Sequence, residues 1–345
     1  MEIITQLLQG GWNALLEYLS AHVLTCLIPA FFIAGAIAVF VSRGAVIKYF
    51  GPRAKKLLSY SIASISGTIL AVCSCTVLPL FGGIYKRGAG IGPAVAFLYS
   101  GPAINVLAIV YTARILGFDL GLARAIGAVA FAAGIGLIMA LIYRREESLK
   151  DSAAFDVLMT DPEGKKWWLQ ITFFAILVGI LIFAASKNWI LTGILLVVLG
   201  FILWRWFTKR EFGFWMKETL RFVRLIVPWL LAGVFAAGVI TTFVPQDVVS
   251  SWVGGNTLFA NFTASFLGAL MYFATLTEVP IVSAFTNLGM GKGPTLALLL
   301  AGPALSLPNM LVIRNIMGTK KALTYVSLVV VFATITGYIF GLIAQ

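Results

Sequence analysis

Long apolar runs separated by short charged clusters set the pattern of this chain. Windows free of Asp, Glu, Lys and Arg cover residues 18–42, 57–85, 88–113, 125–143, 167–186, 188–204, 225–246, 248–277, 293–313 and 322–345. Each reaches or approaches the roughly 20 residues that cross a bilayer as a helix. A barrel would show short alternating segments, whereas these runs are continuous and rich in Leu, Ile, Ala and Gly. The pattern predicts an all-α polytopic membrane protein with about 10 membrane helices and additional short half-helices.

Composition agrees. The chain has 345 residues, 60% hydrophobic and 11% charged, with a mean hydropathy of +0.99. These values exclude an ordinary soluble domain. The net charge of +12 is scattered through short loops instead of gathered on a patch, so it reads as membrane topology and not as a nucleic-acid surface. The first basic residue is Arg43, so the basic start of a signal peptide is missing. Residues 1–20, with Trp12, Glu17 and Tyr18 among leucines, read as an interfacial helix.

A shift of 201 positions aligns the chain with itself. Arg87-Gly88-Ala89-Gly90-Ile91-Gly92-Pro93 falls on Leu288-Gly289-Met290-Gly291-Lys292-Gly293-Pro294, and Ser100-Gly101-Pro102-Ala103 on Ala301-Gly302-Pro303-Ala304. Pro79 matches Pro280, Gly67 matches Gly268, and Gly117 matches Gly318. So many matched glycines and prolines indicate an internal duplication. The expected organisation is an interfacial helix (1–20), a first transmembrane repeat (21–143), a cytoplasmic loop (144–166), two linking transmembrane helices (167–207), a basic cytoplasmic loop (208–224) and a second repeat (225–345).

Loop charge predicts orientation. Residues 43–56, 86–87, 144–166, 205–224 and 314–321 hold 21 of the 25 Lys and Arg. Placing them inside leaves Arg114, Arg124, Lys187 and Lys292 outside, starts the chain outside, and makes the two repeats inverted.

Pro79, Gly101-Pro102, Pro280 and Gly302-Pro303 are predicted helix breaks, because a proline ring crowds the carbonyl four residues earlier and offers no N–H. Broken helices in lipid are tolerated where the freed groups are buried or face a polar cavity, and matched breaks locate a substrate site near the bilayer midplane. The alternative is that the prolines only kink packed helices. Around the breaks stand Ser74, Thr76, Ser100 and Asn105 in the first half and Thr277, Glu278, Ser306 and Asn309 in the second. Glu278 closes a long charge-free stretch. It sits either at membrane depth, as a proton-coupling or substrate-binding carboxyl, or at a helix end facing solvent.

Cys73 and Cys75 flank Ser74. An i, i+2 pair converges on one ligand only where the backbone is extended or turning, and paired thiolates prefer soft acceptors. The other reading is two small thiols packed at a tight break. No second Cys cluster or His pair completes a zinc site, so no resident metal, cofactor or catalytic residue is expected. Gly289-Met290-Gly291-Lys292-Gly293-Pro294-Thr295 lacks the spacing and preceding strand of a P-loop, so transport is expected to be secondary unless a partner subunit supplies the energy.

The run Cys73-Ser74-Cys75-Thr76-Val77-Leu78-Pro79-Leu80, followed by Lys86-Arg87-Gly88-Ala89, Gly92-Pro93-Ala94 and Ser100-Gly101-Pro102-Ala103, resembles the prokaryotic predicted-permease family that includes ArsP. The resemblance covers nearly the whole chain. It implies export of trivalent organoarsenicals, with Cys73 and Cys75 matching the family's paired cysteines. The expected function is therefore efflux of a small soft or thiol-reactive solute. Alternatives are a permease for another small organic or sulfur-containing solute and, in a different class, an intramembrane thiol oxidoreductase. Expected partners are the substrate and membrane lipid. Proton coupling and a homo-oligomer are left open.

Overall fold

The computed structural model describes residues 2–20, 27–41, 46, 49–51, 55–70, 74–147, 167–243, 252–271 and 278–344. Fifteen helices lie among them: α1 (Glu2–Tyr18), α2 (Ile28–Phe40), α3 (Lys56–Leu70), α4 (Ser74–Lys86), α5 (Ile91–Ala103), α6 (Val106–Ile115), α7 (Phe118–Ile142), α8 (Trp167–Ala185), α9 (Trp189–Trp206), α10 (Lys209–Phe243), α11 (Leu258–Leu270), α12 (Glu278–Asn287), α13 (Lys292–Leu305), α14 (Leu307–Met317) and α15 (Thr319–Ile343). The chain is an all-α polytopic membrane protein. Among the described residues, five helices are long and apolar enough to span a bilayer, seven if each bent pair counts as one span. Lipid is the natural solvent for α9, where Ile190 and Val197 are exposed and Trp189, Trp204 and Trp206 stand at the ends as an aromatic belt would.

The duplication is visible in the backbone. α5 and α6 form one bent pair, turned by 43°, and α13 and α14 form the other, turned by 47°. Gly88 and Gly289 adopt φ of 100° and 101° in the turns that precede them, and Gly117 and Gly318 adopt 109° and 88° at the turns that follow. Left-handed backbone of this kind explains why glycine recurs at those places in both halves.

Each half also builds the same three-helix crossing. α5 packs between α3 and α7, and α13 between α11 and α15. A Cβ on Gly136 would meet the Gly92 carbonyl oxygen at 2.7 Å, and one on Gly337 would meet the Gly293 carbonyl oxygen at 2.7 Å. Small residues let helix backbones approach this closely, which is how helices associate when lipid removes the hydrophobic drive between them. Tyr60 of α3 and Asn261 of α11, also equivalent by the repeat, lie over these two crossings.

The halves meet through equivalent residues. The Tyr99 hydroxyl donates to the carbonyl of Leu300, its own counterpart 201 residues on, at 3.0 Å. Phe131 of α7 and Phe332 of α15, counterparts again, meet edge to face with ring centroids 5.4 Å apart. α4 packs against α14 and, reciprocally, α12 against α6. Tyr143, just past the C-terminus of α7, shares a 2.9 Å hydrogen bond with Thr324 in the first turns of α15, and Lys321 reaches Glu146 at 2.6 Å. The midpoints of α7 and α15 touch while the end of one meets the start of the other, so these counterpart helices run antiparallel.

Several expectations change. Residues 208–224, expected as a basic loop, are the first half of the 35-residue helix α10. Trp215, Thr219, Phe222, Ile226 and Leu230 recur at helical spacing and are buried, while the basic residues occupy the other face. Trp215 donates from its ring nitrogen to the Phe32 carbonyl at 2.8 Å. Pro79 lies inside α4, which continues to Lys86. The one bond lost at the Cys75 carbonyl is tolerated in a helix held by close approach of Gly82 to Phe222 and of Gly83 to Ala34. Pro280 occupies the first turn of α12, where a missing N–H has no intrahelical partner to lose. Pro102 and Pro303 do precede breaks, at Ile104–Asn105 and at Ser306. Helix α1, Glu2–Tyr18, packs on α10, with Gly238 against Gly10, Gly11 and Ala14. Arg124, assigned above to an outside loop, is instead fully buried in α7.

A buried ion pair between the halves

Arg124 stands two turns into α7, and Glu278 is the first residue of α12. Arg124 Nη2 donates to Glu278 Oε2 at 2.9 Å with both side chains fully buried. Arg124 Nη1 donates to Thr112 Oγ1 on α6 at 2.9 Å, and Thr112 in turn donates to the Ala108 carbonyl at 2.7 Å. The pair therefore joins the second half, through α12, to the two helices that follow the first half's break. Tyr99 and Tyr325 are both fully buried. Tyr325 holds the Ala304 carbonyl at 3.4 Å.

Two isolated charges at this depth would each cost several kcal/mol in lost hydration, so neither is kept without the other. Placing Glu278 at a helix start adds the favourable end of the α12 dipole. Glu278 does begin a helix, but the alternative of a helix end facing solvent is overturned, because its side chain is fully buried. The repeat makes the pair asymmetric. The counterpart of Arg124 is Tyr325 and that of Glu278 is Val77, so the other half contributes no matching ion pair.

Other predicted residues have different surroundings. Ser100 is buried and donates to the Ala63 and Phe97 carbonyls, and so serves helix packing. Asn105 caps α6, accepting from the Leu107 and Ala108 amides at 3.0 and 3.3 Å. Its counterpart Ser306 makes no such cap at the start of α14. Thr76, Ser306 and Asn309 are buried. Cys73 and Thr277 lie outside the described residues, as do the side chains of Ser74 and Cys75. Among the described residues no group of three or more His, Cys, Asp or Glu could hold a metal ion.

Sequence reasoning passed over Arg124 because it was counted as a loop charge. The signal was present: with Phe118 to Ile142 read as one helix, Arg124 is its seventh residue, and no acidic residue stands three or four positions away to pair with it.

The predicted-permease family ArsP_1 matches residues 9–342. The chain belongs to this family. Among its relatives, the UPF0718 protein MJ0584 of Methanocaldococcus jannaschii is 45% identical over 363 aligned positions, covering 100% of this chain and 99% of that protein. The UPF0718 protein YraQ of Escherichia coli is 23% identical, covering 97% of this chain and 83% of its own length. No solved structure matches the chain. As a predicted permease with several apolar spans, the protein is a multi-pass membrane permease.

Proposed function

We propose that this permease is a secondary transporter of the prokaryotic plasma membrane, with its N-terminus outside. Two inverted repeats carry a small soft or thiol-reactive solute, such as a trivalent organoarsenical, out of the cell. The antiparallel crossing of the counterpart helices α7 and α15 supports inversion, since repeats of parallel topology would keep counterpart spans in one direction. The observation that carries the transport reading is the fully buried Arg124–Glu278 pair, which bridges the halves beside a broken span. An ionisable pair at membrane depth marks a substrate or proton path.

In this reading Cys73 and Cys75 contact the solute, and Glu278 is the proton-coupling group. Cys75 stands in the first turn of α4, and α4 packs on α14, the helix that follows the second half's break. Thr76, Thr277, Ser306 and Asn309 are further solute contacts in this reading. Uptake of methylarsenite into everted vesicles tests this, comparing the native chain with Cys73→Ser and Cys75→Ser. Loss of uptake in either variant supports a thiol-lined site. Absence of uptake by the folded native chain excludes organoarsenicals and leaves a permease for another small organic or sulfur-containing solute.

A further inference from the structure

The Arg124–Glu278 pair makes only part of the contact its shape permits. A guanidinium offers Nε and Nη2 along one edge, and a carboxylate can take both donors side on. Here Nη2 holds Oε2 at 2.9 Å, whereas Arg124 Nε and Glu278 Oε1 are both buried without a protein partner among the described residues. One is a donor and the other an acceptor. They flank a bond between two charges that already cancel.

Unpartnered buried polar atoms are rare and costly, and a neighbouring pair of opposite kind is complementary to a group that both accepts and donates. A hydroxyl is such a group: its oxygen accepts from Arg124 Nε while its hydrogen is given to Glu278 Oε1. An anion would be repelled by Glu278 and a cation by Arg124, and either would have to split the ion pair. Resting on the reading of this chain as a permease with its site at Glu278, we propose that Arg124 Nε and Glu278 Oε1 form a subsite for the hydroxyl of a neutral solute. The class is a small uncharged molecule carrying –OH on a carbon or metalloid centre.

The test is a ligand-observed NMR titration of the purified full chain with methylboronic acid and with acetone. Both are small, neutral and trigonal, but only the first has hydroxyls, and neither binds thiols. Methylboronic acid should bind about tenfold more tightly than acetone, the effect of one hydrogen bond to a charged partner. Arg124→Lys keeps the positive charge and deletes Nε–H. It should bring methylboronic acid to the level of acetone while the unfolding temperature in detergent is kept. Equal binding of the two probes to the native chain overturns the subsite, as does native-like binding by a folded Arg124→Lys variant. A Cys73→Ser/Cys75→Ser chain should titrate as the native one does, so failure of the thiol reading in vesicles and failure of the hydroxyl subsite are separate results.

Discussion

In the first half, Tyr60 lies over the crossing of Gly92 and Gly136; in the second, Asn261 lies over the crossing of Gly293 and Gly337. The covering residue changes, but the backbone approach beneath it is the same. Nearer the junction of the halves the match ends: Arg124 corresponds to Tyr325, Glu278 to Val77, and Asn105 to Ser306. The comparison separates two roles. Positions that let helices approach are held in both halves, because each half needs its own crossing. The ion pair exists once, because one pair at the junction serves both halves.

The largest effect expected from breaking this comparison is at the pair. Glu278→Leu leaves Arg124 charged and buried, which costs about 3–5 kcal/mol and should appear as loss of folded protein on unfolding in detergent. Arg124→Met/Glu278→Leu removes both charges and should recover most of that stability, within about 1–2 kcal/mol of the native chain or above it. Transport should nonetheless be lost in the double variant. If the double variant transports normally, the pair is only structural.

Smaller effects are expected where the halves agree. Gly337→Ala sets a methyl against the Gly293 carbonyl and Asn261 Oδ1, and Gly136→Ala sets one against Gly92 and Tyr60. Each should cost about 1–3 kcal/mol, as overpacking does. Gly193 of α9 has nothing within 4 Å of an added Cβ, so Gly193→Ala should be neutral or stabilising by up to about 1 kcal/mol. Equal effects in all three variants would show that close approach at the crossings is not what holds Gly136 and Gly337 in place.

The cap comparison is sharper still. Asn105→Ala removes two hydrogen bonds to the start of α6 and should cost about 1 kcal/mol. Ser306→Ala at the equivalent place removes a side chain that caps nothing, so its cost should be near zero. Chemical denaturation of the two variants side by side distinguishes these outcomes.

These contrasts also explain what the sequence could disclose. Apolar runs, proline spacing and the shifted glycines were enough for the helical class and for the duplication, because bilayer thickness and left-handed turns constrain those residues directly. The first half of α10 was misread as a loop because Lys209, Arg210, Lys217 and Arg221 break the charge-free window, although Trp215, Thr219 and Phe222 keep a helical stripe. Arg124 was misread for the same reason: a charge count cannot tell an arginine at a loop from one paired 154 residues away. Pro79 lies within α4 and Pro280 in the first turn of α12, while residues 71–73 and 272–277, just before these helices, lie outside the described residues.

A small and salt-dependent effect is expected at the second ion pair between the halves. Lys321 of α15 meets Glu146 just beyond α7 at 2.6 Å, with Lys321 nearly buried and Glu146 half exposed. Lys321 also donates to the Tyr85 hydroxyl at 3.3 Å and sits over the Tyr143 ring at 5.5 Å, so Glu146→Gln does not strand it. An exposed partner gains little from pairing and is screened by salt, so the cost should be under about 1 kcal/mol and should vanish near 1 M salt. The loss from Glu278→Leu should persist at the same salt, because no ion reaches a pair from which solvent is excluded. A Glu146→Gln cost that is large and independent of salt would mean that this end of the junction is as dry as its centre, and that α7 and α15 are clamped along their whole shared length.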